Sequence, residues 1–237
     1  MSEEKIGPKR SVLAQDRSRD TRQAIIKAAL ELWGERGYDT GIDDTTVEEI
    51  VARAGVAKTT FYFHFARKDD ILLETSWLTA KVFYEDALKG LVNGGATDEV
   101  IDDITVKLCR RMERVPRLAL RRMLQVMSAS ESVVSRRRAN DPDHTSFRKA
   151  FAVIFLQGQQ SGDVPQTLSP ASIGQMFEDM LMSSIRAWIY DEDADLLATL
   201  RERFAVLLAG ARMVTKGAVS RGGSRPGRNK TANRIVR

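Results

Sequence analysis

The chain has 237 residues, 43% of them hydrophobic and 29% charged, which is enough apolar mass to bury a core and too much for a disordered or collagen-like chain. A single cysteine, Cys109, excludes an intramolecular disulfide framework, and a net charge of +5 admits a polyanionic partner without requiring one. No stretch approaches the roughly 18 apolar residues of a membrane helix, and no apolar run follows Met1-Ser2-Glu3-Glu4-Lys5, so the expectation is a cytoplasmic protein with no signal peptide and no membrane partner.

In chain order, residues 1–16 are polar, contain Gly7-Pro8 and read as a flexible arm. Ile25, Ala28, Ala29, Leu32 and Trp33 then recur at helical spacing up to Gly37. Val47, Ile50, Val51 and Ala54 form a shorter helix, capped by Thr45 or Thr46 and broken by Gly55, and a third short helix runs from Ala57 to about Phe65. Ile71, Leu72, Thr75, Leu78 and Val82 open a long helix that ends at Asn93-Gly94-Gly95; further helices follow over Val100–Met112 and Leu118–Met127. After a charged, Pro-containing stretch from Ser135 to Asp143, three more carry the 3.6-residue period: Phe147 to Gly158, Ile173 to Trp188 and Leu197 to Ala211. No convincing period-two alternation and no internal repeat occur, so the whole chain reads as all-α. Residues 217–237 carry Arg221, Arg225, Arg228, Lys230, Arg234 and Arg237, no acidic residue, and the Gly, Ser and Pro content of a disordered basic tail. Without that tail the chain is close to neutral, so local placement, not bulk charge, has to carry any case for a nucleic acid.

The informative segment is Thr46 to Phe65. Ala54 lets two helices cross closely, Gly55 supplies the positive φ of a sharp turn, and Val56 and Phe61 fill the angle between the helices. The second helix starts with Ala57, Lys58, Thr59 and Thr60, short side chains and a base that let its backbone approach a groove. Thr59 and Thr60 can bond base edges or touch a thymine methyl, and Thr46, Tyr62, His64 and Lys68 offer phosphate donors. Two ordinary core helices joined by a glycine turn would show the same apolar spacing; the difference is a short helix whose exposed side holds no acidic residue before Asp69.

The run from Arg22 to Leu73 resembles the DNA-binding domain of the tetracycline-repressor (TetR) family. The matching pieces, in order, are Thr21-Arg22-Gln23-Ala24-Ile25-Ile26, Gly37-Tyr38, Thr45-Thr46-Val47, Ile50, Ala54-Gly55-Val56, Phe61-Tyr62, His64-Phe65 and Lys68. Two departures stand out: the six-residue loop Asp39–Asp44 is longer than is usual in the family, and Ala57 stands where a capping Ser is common, a loss of roughly 1 kcal/mol. The resemblance implies a three-helix helix-turn-helix DNA-binding domain over 17–67 and a helical ligand-binding and dimerisation domain over 68–216. It also implies a homodimer held by the last long helices, a palindromic double-stranded DNA operator and a small-molecule effector, with repression as the default.

The residues support the body's role less directly. In helix 147–161, Val153 and Leu156 lie beside the main stripe; in helix 171–190, Met182, Ile185 and Ile189 do so. A helix apolar nearly all round is buried all round, by a second copy or by a monomer's own core. Met112, Met123, Met127, Phe151, Phe155, Met176 and Met180 are the candidate lining of an apolar effector pocket, against ordinary core packing. Arg110, Arg111, Arg121 and Arg122 read as solvated faces, and Cys109 as a buried thiol or a redox sensor. No phosphate loop, zinc-binding pair or nucleophile elbow is present, so neither an enzyme nor a cofactor is expected; the acidic Asp191–Asp195 stretch reads as a helix cap. The alternative function is a non-specific DNA-binding protein driven by the basic tail.

Overall fold

The structure is a computed structural model and describes residues 8–38, 40–129 and 145–214; the expectations placed on residues 1–7, on Asp39, on the stretch from Ser135 to Asp143 and on the basic tail fall outside them. The described residues form helices and no strands: α1 (Pro8–Arg36), α2 (Gly41–Asp44), α3 (Val47–Ala54), α4 (Lys58–His64), α5 (Asp70–Val92), α6 (Thr97–Met112), α7 (Arg117–Ala129), α8 (Phe147–Ser161), α9 (Pro170–Tyr190) and α10 (Leu196–Met213). None is long and apolar enough to cross a membrane.

Local chemistry sets the boundaries. Thr46 caps α3 by accepting from the Glu49 N–H at 3.3 Å, while the Glu49 carboxylate accepts from the Thr46 N–H at 2.8 Å; this closes a reciprocal capping box. Thr45, the other candidate cap, is instead buried and donates to the Gly41 carbonyl. Ser146, Ser169 and Asp195 cap α8, α9 and α10 through the N–H groups of Lys149, Ser172 and Ala198. The acidic stretch thus ends in a helix cap, and no group of three or more His, Cys, Asp or Glu suited to a metal occurs among the described residues.

Two hydrophobic cores result. The head core unites Ile25, Ala29 and Trp33 of α1, Ile42 of α2, Ile50 and Val51 of α3, Phe61 of α4, and Ile71, Leu72 and Leu73 of α5, with Val126 of α7. The body core is built on aromatic rings from four helices. Phe177 of α9 stands 5.2 Å from Phe151 and 4.9 Å from Phe155, both of α8, and 5.0 Å from Phe204 of α10; Phe83 of α5 stands 5.4 Å from Phe151. Gly174 permits a close crossing of α9 on α8, since a Cβ there would lie 2.6 Å from the Arg148 carbonyl oxygen of α8.

Four details depart from the sequence reading. Helix α1 begins at Pro8, inside the stretch read as an arm; proline suits a first helical turn, and no breaker lies between it and Arg36. The Asp39–Asp44 loop contains the helical turn α2, whose Ile42 is buried in the head. The head core extends past residue 67, because α5 gives its first turns to the head and its later ones to the body. Ile185 and Ile189 of α9 are buried within the chain's own core, so they supply no second apolar face.

Candidate nucleic-acid interface

Helix α4 is held by its two ends. Phe61 is fully buried, and Phe65, just past the helix, packs into the same core. Gly55 turns the chain between α3 and α4 with φ of 68°, its N–H directed at the Ala52 and Val51 carbonyls. That conformation would strain any residue carrying a Cβ. Ala57 occupies the cap position of α4 and makes no side-chain bond, as the sequence implies.

The proposed base readers lie on the exposed side. Lys58 and Thr59 are exposed and Thr60 is half-buried. Lys58 forms an ion pair with Glu48 of α3, a partner that the sequence reading overlooked because it considered acidic residues on only one side of α4. The pair raises the Lys58 pKa and lowers that of Glu48. Among the phosphate candidates, Thr46 is exposed at the start of α3, with its hydroxyl donating to Glu49 at 2.9 Å. Tyr62 is exposed. His64 is half-buried, and burial, helped by the nearby Arg22 guanidinium, lowers its pKa, which keeps the imidazole neutral near pH 7.

Lys68 does not fit its expected role. Its ammonium donates to the carbonyls of Asp43 at 2.7 Å and Thr45 at 2.9 Å. It neutralises the carbonyl end of α2 instead of reaching outward, a use created by the helical turn in the longer loop. Arg36 acts similarly on the neighbouring element: it pairs with Glu49 at 2.5 Å, and with the capping bonds this brings the Glu49 pKa down to about 2.

The site residues that sequence reasoning missed are Glu48 and Phe63. Phe63 is 78% exposed on α4. Its signal was available, since it sits two residues from both Phe61 and Phe65, and two residues turn a helix by about 200°.

The head is joined to the body through α7. Arg122 bonds the Asp43 carboxylate at 2.6 Å, Val126 lies in the head core, and Met123 packs against both cores. At the other end of α7, Arg117 donates to the Asp191 carbonyl at 2.5 Å and lies 4.6 Å over the Trp188 ring, and Arg121 donates to the Ile189 carbonyl at 3.2 Å. Arg111 is paired with the buried Asp86 at 2.5 Å. Of the arginines read as solvated faces, only Arg110 is simply exposed.

The effector-pocket candidates separate. Met112, Phe151 and Phe155 are buried in the body core, and Met180 packs against it. Met127 packs against the head core instead. Met176 is 53% exposed, because Ile173 and Phe177 take the inward face of α9; it does not line the interior. Cys109 is buried and its pKa is pushed up to about 12, chiefly by desolvation, so the thiol stays protonated.

A short helix presented outward from a glycine turn, on a compact head jointed to a helical body, defines a helix-turn-helix DNA-binding regulator. Residues 25–75 match the family described as bacterial regulatory proteins of the tetR family. The head therefore carries the DNA-binding domain that this family model describes. It is 24% identical over 187 residues to the fatty acid metabolism regulator protein of Bacillus subtilis, covering 78% of this chain and 93% of that one. It is 28% identical over 167 residues to the regulator TcmR of Streptomyces glaucescens, covering 61% and 72%. Its fold is similar to that of Thermus thermophilus FadR, a repressor solved with lauroyl-CoA, with a TM-score of 0.67 at 23% identity over 88% of this chain and 99% of that one. It is also similar to SmeT, the repressor of a Stenotrophomonas maltophilia efflux pump, with a TM-score of 0.57 at 19% identity over 81% and 91%.

Proposed function

We propose that the protein is a repressor that binds a palindromic operator as a homodimer and releases it when a small molecule occupies the body. The observation that carries this reading is the outward face of α4, where Lys58, Thr59 and Tyr62 are exposed while Phe61 and Phe65 anchor the helix from behind. Lys58, Thr59 and Thr60 then read bases, with Thr46, Tyr62 and His64 on phosphates. The domain division follows function: reading over 17–67, ligand binding and dimerisation over 68–216, and a basic tail over 217–237 that adds sequence-independent attraction.

One reading helix touches few base pairs, whereas two related by a twofold axis reach successive major-groove faces about 34–36 Å apart. The surface suited to a second copy is the outer side of α10, where Ala205, Val206, Ala209 and Gly210 are exposed, together with the exposed Met176 and Tyr190 of α9. Small residues there allow close helix contact. The effector carries an apolar portion, such as an acyl chain, accommodated by rearrangement around Phe151, Phe155, Met112 and Met180. Lauroyl-CoA, found with the Thermus protein, is the first compound to test.

A gel shift of the full chain against the DNA flanking its own gene, over a range of salt, tests the reading. A sequence-selective complex that survives moderate salt and is dissolved by an effector supports it; absence of any selective complex sinks it. Removing 217–237 is expected to weaken all DNA binding uniformly and leave site preference intact; loss of all binding would favour tail-driven coating of DNA instead. Glu48→Gln releases Lys58 for the phosphates or bases and is expected to tighten operator binding several-fold, with a salt dependence steeper by about one counterion.

A further inference from the structure

We propose that Phe63 reads the C5-methyl group of a thymine in the operator, an inference that rests on the DNA-reading role of α4. Phe63 is 78% exposed. Single exposed apolar residues are common on protein surfaces, but the position of this one is specific. The head buries Phe61 and Phe65, and Phe63 lies two residues from each, on the opposite side of the helix. It therefore stands on the outermost line of α4, one turn beyond the exposed Thr59.

The ring is also held. It meets the His64 imidazole edge to face at 5.0 Å between centroids and 81° between planes, and His64 is itself half-buried. This contact limits the rotamers of Phe63 and lowers the entropy lost on binding. A phenyl ring has no donor for a phosphate and none for a base edge. What it can recognise in a major groove is apolar, and the only apolar group that the four base pairs offer there is the thymine methyl. Thr59 sits about 6 Å back along the helix axis, at 1.5 Å per residue, so the two side chains meet different base pairs. Phe63 would thus add a thymine requirement that the polar readers Lys58, Thr59 and Thr60 do not impose.

The test begins with selection of duplexes by the full chain from a random pool, which yields the preferred site. Each thymine of that site is then replaced by uracil, which removes only the methyl, symmetrically in both half-sites. Wild type is expected to lose about tenfold in affinity at one thymine position. Phe63→Ala is expected to bind more weakly and to treat thymine and uracil alike at that position, with its helical signal and melting temperature unchanged. Phe63→Leu, which keeps an apolar contact, is expected to retain part of the discrimination and decides the matter if the alanine variant binds too weakly to measure. An unchanged thymine-to-uracil ratio in both variants, or a wild type indifferent to every uracil, overturns the role of Phe63 while leaving DNA reading intact. Failure of the wild type to select any sequence overturns both.

Discussion

The head and the body achieve stability by different means. In the head, short elements are fixed by neighbours in sequence and by ionic contacts at the surface. The Thr46–Glu49 box starts α3, Gly55 ends it, and Arg36, Arg53 and Lys68 tie the pieces together through Glu49, Glu35 and the α2 carbonyls. In the body, long helices converge on interlocked rings, with Phe83, Phe151, Phe177 and Phe204 drawn from α5, α8, α9 and α10. A head built this way can present polar side chains on a rigid frame while its outer face stays open. A core of large apolar rings can exchange one close-packed arrangement for another when a ligand enters, because the same dispersion contacts can be remade with ligand atoms.

The largest effect is expected where rings lock the body. Phe177 is 1% exposed and contacts three other phenyl rings, so Phe177→Ala is expected to cost about 3–5 kcal/mol in denaturant unfolding. Substitutions on the exposed face of α4 should leave that stability within about 0.5 kcal/mol and be felt in DNA binding alone. A Phe177→Ala protein of undiminished stability would mean that the rings are not what holds the body.

A smaller effect is expected at the joint. The Asp43–Arg122 pair is partly solvated, with side-chain exposures of 60% and 31%, and an exposed pair contributes about 0–1 kcal/mol to folding. Its importance is connective: α7 is bonded to α2 at Arg122 and to the end of α9 at Arg117 and Arg121. Arg122→Ala is therefore expected to change stability little but to reduce the effector's influence on DNA affinity by about 0.5–2 kcal/mol, measured as the ratio of operator affinities with and without effector. An unchanged ratio would place the coupling in α5 alone.

This contrast also decides what could be read from the chain. Elements set by residues three or four apart were legible: the Gly55 turn, the packing role of Phe61, and the missing cap at Ala57. Contacts between distant residues were not. Arg122 is a surface arginine by its local pattern, and nothing local connects it to Asp43, 79 positions away. Lys68 follows a phosphate-binding pattern, but its ammonium is captured by a helical turn that the longer loop creates. Ile185 and Ile189 fall outside the α9 stripe by periodicity, yet α9 is packed on enough sides to bury both.

The missing cap gives a stabilising prediction. Ala57 has the extended backbone of a cap residue, with φ of −75° and ψ of 151°, and no side-chain bond. Ala57→Ser offers its hydroxyl to a free N–H of the first turn of α4 and is expected to raise head stability by about 0.5–1 kcal/mol, read as a higher melting temperature. No gain would show that water already satisfies that N–H as well as a hydroxyl does.

The finest distinction between the two regions is pH dependence. Glu49 is ionised with its pKa lowered to about 2 from 4.5, first by the Arg36 guanidinium and then by the bonds from Thr46. A carboxylate whose pKa falls on folding stabilises the folded state fully above its unfolded value, and that contribution disappears as the pH falls through the folded one. Glu49→Gln keeps an acceptor for the Thr46 N–H but loses the charge facing Arg36. The variant is thus expected to be less stable than wild type at neutral pH, with the gap closing between pH 4.5 and 2. The corresponding gap for Phe177→Ala should stay constant over that range, since no charge is involved. Urea midpoints of both variants against wild type, taken at several pH values, separate the two regions directly. A constant gap for Glu49→Gln would mean that the carboxylate acts only as a neutral cap and that the ionic contacts do not hold the head.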